Sequence, residues 1–134
     1  MTASNLKVLL VDDDETTQLY IGNLLEMKGI SHSLAENGKT ALQQLEQNKY
    51  DCILMDVQMP VLDGVETTKQ IRSSYSNCKN IPIIAMTAYA MSGDRETFLE
   101  AGMDDYIAKP VDKDELVEVL ERNLPGAKSQ GSNP

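Results

Sequence analysis

Histidine occurs once, at His32, and cysteine only twice, at Cys52 and Cys78, in a chain of 134 residues. One imidazole cannot build a multi-histidine metal site and leaves little basis for a histidine-dependent catalytic triad. His32 reads instead as a surface or edge-strand residue. Two thiols without metal-ligand spacing are neither a zinc site nor a disulfide framework. Cys52 falls in an apolar run and reads as a small core residue. Cys78 lies in a polar loop, where a redox role is not the preferred reading. Basic charge is also scarce: 12 Lys and Arg stand against 21 Asp and Glu, a formal net charge of −9. That balance argues against nucleic acid and anionic membrane, which reward Lys and Arg. Cations or basic protein patches are the expected charged partners. No apolar stretch approaches the ~20 residues of a membrane span, so no membrane insertion is expected. The opening "MTASNLK" lacks a signal-peptide apolar segment, which makes a cytoplasmic location the expectation. No glycine-rich phosphate loop follows the first apolar run, which weighs against a flavin- or nucleotide-binding carrier.

What the chain does have is a regular alternation of apolar runs and amphipathic stretches, with 41% apolar residues, enough for one domain with a real core. "LKVLLVD" (6–12), "CILMD" (52–56) and "IPIIAMT" (81–87) are continuous apolar runs, the pattern of strands buried on both faces. "SHSLA" (31–35) and "DYIAK" (105–109) are weaker strands. Between them, Ile21, Leu24 and Leu25 recur at helical spacing and Gly29 supplies a stop. Asn37 and Gly38 lead into a helix carrying Ala41, Leu42 and Leu45. "DGVE" (63–66) and "DKDE" (112–115) have capping-box spacing, the second ahead of Leu116, Leu120 and Leu124. Ser92 is the expected N-cap of a helix with Phe98 and Leu99, ended by Gly102. Residues 1–124 thus read as one domain. The Gly/Ser/Pro-rich tail 125–134 reads as disordered.

Five strand–helix units predict an α/β fold: a doubly wound, five-stranded parallel sheet with helices on both faces. The flavodoxin-like order 2-1-3-4-5 suits the strand count, and it buries the first, third and fourth strands while leaving the weak pair at the edges. In such a sheet the ligand site lies beyond the carboxyl ends of the strands. The first strand delivers Asp12 and Asp13 there, the third Asp56, the fourth Thr87 and the fifth Lys109. Asp14 and Glu15 have a plainer role, as N-cap and first-turn acid of the following helix. Three crowded carboxylates demand a raised pKa or a bound cation. Oxygen donors without sulfur or imidazole suit a hard ion such as Mg²⁺, with Mn²⁺ as a substitute. Carboxylate, metal, ammonium and hydroxyl together form a site for transferring a phosphoryl group onto an aspartate.

"LLVDDDET", "LMDVQMPVLDG", "IIAMTAYA" and "DDYIAKP" resemble, in family order, the signature segments of the response-regulator receiver domain of two-component signalling. The resemblance covers residues 6 to 124. It implies Mg²⁺ binding by Asp13 directly and Asp12 largely through water, with Asp56 as metal ligand and phosphoryl acceptor. The backbone carbonyl of Gln58 would add a ligand. It also implies that Thr87 and Tyr106 are switch residues and that Lys109 binds phosphate. Pro110 follows a cis peptide bond in the family, and Ala88 is the small residue beside the threonine. Gln58 and Tyr89 occupy positions that modulate hydrolysis of the acyl phosphate, and a bulky Tyr89 predicts slow decay. The implied partners are a sensor histidine kinase or a histidine phosphotransfer protein, with the receiver a monomer or weak dimer. The local style is closest to receivers of hybrid histidine kinases.

One rival reading rests on "DDDET", which also satisfies the D-x-D-x-T entry motif of haloacid dehalogenase-type phosphatases, with Asp12 as nucleophile. It leaves "MDVQMPVLDG" without a task, puts "MDD" (103–105) before a strand instead of after one, and needs a longer chain for a substrate cap.

Overall fold

Apolar runs that cannot face water on either side become the interior strands of the sheet. In the computed structural model, which describes residues 6–57, 64–74, 81–88 and 92–124, β3 (Cys52–Asp56) and β4 (Ile83–Thr87) are buried at every position. β1 (Lys7–Val11) is open to solvent only at Lys7. β2 (Ser31–Ala35) and β5 (Asp105–Ala108) are each buried at a single residue. The sheet order is β2-β1-β3-β4-β5 and every pairing is parallel. Residues buried on both faces therefore occupy the centre and the weak strands form the edges, as expected for a parallel sheet clad on two sides. The expected tail 125–134 lies outside the described residues, as do Gln58, Asp63, Cys78 and Tyr89.

Helices begin where a side-chain oxygen can satisfy free backbone amides. Asp14 accepts from Thr17 N at 2.8 Å before α1 (Glu15–Met27). Asn37 accepts from Thr40 N at 2.8 Å before α2 (Gly38–Gln47). Asp112 accepts from Glu115 N at 3.1 Å before α5 (Lys113–Asn123). Each such cap stabilises its helix by about 1 kcal/mol. α3 spans Gly64–Ser74 and α4 spans Ser92–Ala101. The helix thus starts at Ser92 itself, one residue earlier than a cap there would place it. Gly29 and Gly102 end their helices at φ +77° and +111°, backbone conformations that favour glycine. On α4, Leu99 is 46% exposed, while Phe98 and Ala101 are buried. A three-residue step keeps Phe98 and Ala101 on one helical face, and Leu99 is rotated away from it.

Pleating divides the core in two, because successive strand residues point to opposite faces. Val8 and Leu10 of β1, Cys52 and Leu54 of β3, Ile84 and Met86 of β4, and Ile107 of β5 pack with α1 and α5. Leu9, Val11, Ile53, Met55, Ile83 and Ala85 pack on the other face, against residues of α2, α3 and α4. That parity decides which side of the sheet each residue beyond a strand end inherits.

Candidate functional site

Asp12 is the first residue past β1, and its amide still donates to Ala35 O of the neighbouring strand at 3.0 Å. It is fully buried. Oδ1 accepts from Asp14 N at 2.9 Å, Oδ2 from Lys109 Nζ at 3.1 Å, and the main-chain oxygen from Gln18 Nε2 at 2.6 Å. Asp56 ends β3 and is 2% exposed, with Oδ2 3.4 Å from the same Lys109 ammonium. Asp13, by contrast, is exposed. Oxygen atoms of Asp12, Asp13 and Asp56 all lie within 4.8 Å of one another.

Lys109 stands one residue beyond β5, where its amide donates to Thr87 O at 2.8 Å and so extends the ladder between β4 and β5. The Lys109–Pro110 peptide bond is cis. Burial presses the ammonium toward losing its proton. The hydrogen bond to Asp12 and the charges of Asp56 and Asp12 outweigh that pressure and leave the Lys109 pKa raised. Asp14 lies at the edge of the cluster, and hydrogen bonds from the Thr17 hydroxyl and amide hold its carboxyl below the ordinary range. This fits the N-cap role rather than a place in the acidic cradle.

Thr87 ends β4 and is 1% exposed, Ala88 follows it at the surface, and Tyr106 is half-buried on β5. Pleat parity assigns these groups to different sides. Asp12, Asp56 and Lys109 continue the face shared with α1 and α5, whereas Thr87 follows Ile83 and Ala85 on the opposite face. Tyr106 packs against that opposite face as well.

Two contributors were not anticipated from the sequence. Gln18 reaches back from α1 to the Asp12 carbonyl, and a single polar residue on a helix carries no periodic signal for such a contact. Gly64 begins α3 so close to β3 that a Cβ there would lie 2.5 Å from Asp56 O. Only hydrogen fits that space.

The donor set suits a hard divalent cation. Three carboxylates lie together, all offering oxygen; two of them pair with one ammonium and the third is open to solvent. Residues 8–121 match the family model described as the response regulator receiver domain. The chain belongs to the receiver-domain family. Among its relatives, this receiver is 45% identical over 124 residues to hybrid signal transduction histidine kinase I of Dictyostelium discoideum, covering 88% of this chain and 7% of that protein. It is 39% identical over 116 residues to the sensor protein GacS of Pseudomonas syringae pv. syringae, covering 85% of this chain and 13% of that one. The chain therefore spans a small fraction of the length of these curated relatives. Among solved structures, it is similar to the receiver domain of sensor histidine kinase PA1611 from Pseudomonas aeruginosa PAO1, with TM-score 0.82 and 42% identity over 90% of this chain and 98% of that one. That receiver has a magnesium ion coordinated in its active-site cleft.

Proposed function

We propose that this receiver domain, within residues 1–124, accepts a phosphoryl group on Asp56 from a phosphohistidine. The donor is a sensor histidine kinase or a histidine phosphotransfer protein, and the reaction depends on Mg²⁺ or Mn²⁺. The observation that carries this reading is the Lys109 ammonium, 3.1 Å from Asp12 and 3.4 Å from Asp56, beside the open carboxylate of Asp13. Asp12, Asp13, Asp56 and the Gln58 backbone carbonyl would hold the metal. When bound, the ion neutralises charge on the transferring oxygens.

In the transfer, a carboxylate oxygen of Asp56 attacks phosphorus. The phosphorus–nitrogen bond to the donor imidazole breaks, and the electron pair stays with that imidazole. Lys109 supplies a fixed positive charge to the phosphoryl oxygens and keeps its proton throughout. The Thr87 hydroxyl donates to a phosphoryl oxygen once the group is in place, and Ala88 leaves it room. Tyr106 follows the threonine inward, which alters the face formed by α4, β5 and α5. Pro110 shapes the turn that presents Lys109, and Tyr89 shields the acyl phosphate from water.

Incubation with Mg²⁺ and acetyl phosphate, followed by intact-mass measurement and peptide mapping, tests this reading. The expected result is an adduct on Asp56 that EDTA prevents and Asp56→Asn abolishes. An adduct on Asp12 would point to the phosphatase reading. The proposal fails if neither acetyl phosphate nor a phosphohistidine protein modifies Asp56.

A further inference from the structure

Asp12 and Asp13 form the whole connection between β1 and the N-cap of α1. A connection this short has few soft torsions, and those beside the peptide group joining the two acids set where Asp13 stands. Turning this peptide about the Cα–C bond of Asp12 carries Asp13 with it while the Asp12 side chain stays put. The Asp12 end is held firmly: its amide donates to Ala35 O, Oδ1 accepts from Asp14 N and Oδ2 accepts from Lys109. The Asp12 carbonyl belongs to that peptide itself, and it accepts from the Gln18 carboxamide at 2.6 Å. Gln18 is in turn fixed by the helix, since its own amide donates to Asp14 O at 3.0 Å.

We infer that Gln18 is a positioning residue for the cation site: by clamping the Asp12 carbonyl it sets the orientation of the Asp12–Asp13 peptide and so the aim of Asp13. This inference rests on the proposed role of Asp13 as a metal ligand. Gln18 touches neither metal nor phosphate. Its effect passes through the backbone, as that of groups that orient ligands commonly does. An acid one position off in aim retains its charge but loses its coordination geometry, which Mg²⁺ tolerates poorly.

The test is Gln18→Met, which keeps the length and volume of the side chain and removes the donor, with Gln18→Ala as a second variant. Mg²⁺ titrations of the isotope-labelled proteins, followed by backbone amide shifts, give Kd directly, and melting in EDTA reports the metal-free fold. The expected result is Mg²⁺ binding weakened on the order of ten-fold in both variants, with the Asp13 amide resonance displaced before any metal is added. A lower metal-free melting temperature with Kd and the Asp13 resonance unchanged would reduce Gln18 to a structural role and overturn the inference. Failure of the wild-type protein to bind Mg²⁺ would instead remove the functional reading, and the inference with it.

Discussion

The ammonium of Lys109 lies 3.1 Å from Oδ2 of Asp12 across 97 positions of sequence. It joins the end of an edge strand to the end of a central one. Replacing it by methionine leaves Asp12 and Asp56 buried without this cation. Lys109→Met should lower stability by about 1–3 kcal/mol, because removing one partner of a buried pair strands the other charge. Partial solvent access to the lysine keeps the loss below the full buried-pair figure. Phosphorylation of Asp56 should fall by at least ~100-fold. Urea unfolding and a phosphorylation time course check the two effects separately.

Asp13 should behave in the opposite way. It crowds two other carboxylates, so Asp13→Asn relieves repulsion and should stabilise the metal-free protein by about 0.5–1 kcal/mol. On the proposed Mg²⁺ reading, wild-type protein should gain about 1.4 kcal/mol when Mg²⁺ stands at about ten times its Kd. The variant should lose most of that gain. Melting curves in EDTA and in Mg²⁺ distinguish the two shifts, and a variant less stable than wild type in EDTA would contradict the crowding.

Gly64→Ala inserts a methyl group 2.5 Å from Asp56 O and 2.7 Å from Val57 Cα. The backbone must give way, at about 1–3 kcal/mol, and Asp56 should accept phosphate more slowly. Gly29→Ala is the control. Nothing lies within 4 Å of its added Cβ, so it should lose only about 1 kcal/mol of backbone preference with phosphorylation unchanged.

Burial, reinforced by the negative charges of Asp104 and Asp51, pushes the Cys52 thiol above its ordinary 9.0. An unfolded chain ionises this thiol sooner than the folded one. Its contribution to stability is therefore complete below the ordinary value and falls as pH rises beyond it, by up to ~1.4 kcal/mol per pH unit. Urea midpoints of wild type and Cys52→Ala across the alkaline range should diverge in slope. Alkylation mapped to Cys52 should be negligible in native protein and rapid once it unfolds.

Strand strength made the sheet order readable from sequence. Cys52–Asp56 and Ile83–Thr87 are apolar almost without interruption because both faces are covered, and the polar texture of Ser31–Ala35 marks an edge. The convergence of Asp12, Asp56 and Lys109 followed from that order alone, since each ends a parallel strand. Pairwise contacts from helix surfaces left no such trace. Gln18 to the Asp12 carbonyl, Tyr20 OH to Val111 O at 2.7 Å and Arg72 Nε to Gly102 O at 2.9 Å each depend on one side chain meeting one main-chain oxygen. Apolar character identifies a helix more readily than the exact angle of its buried stripe, as exposed Leu99 beside buried Phe98 shows.

The two-sided core gives the sheet the character of a partition wall. Asp12, Asp56 and Lys109 stand on the side of α1 and α5, while Thr87 and Tyr106 stand in the other room, with α2, α3 and α4. The wall is packed solid along β1, β3 and β4, so it offers no doorway through its middle. On the proposed reading, a change at Asp56 would travel over the top, across the few residues where the strands end, and Thr87 stands on that ledge at the end of β4.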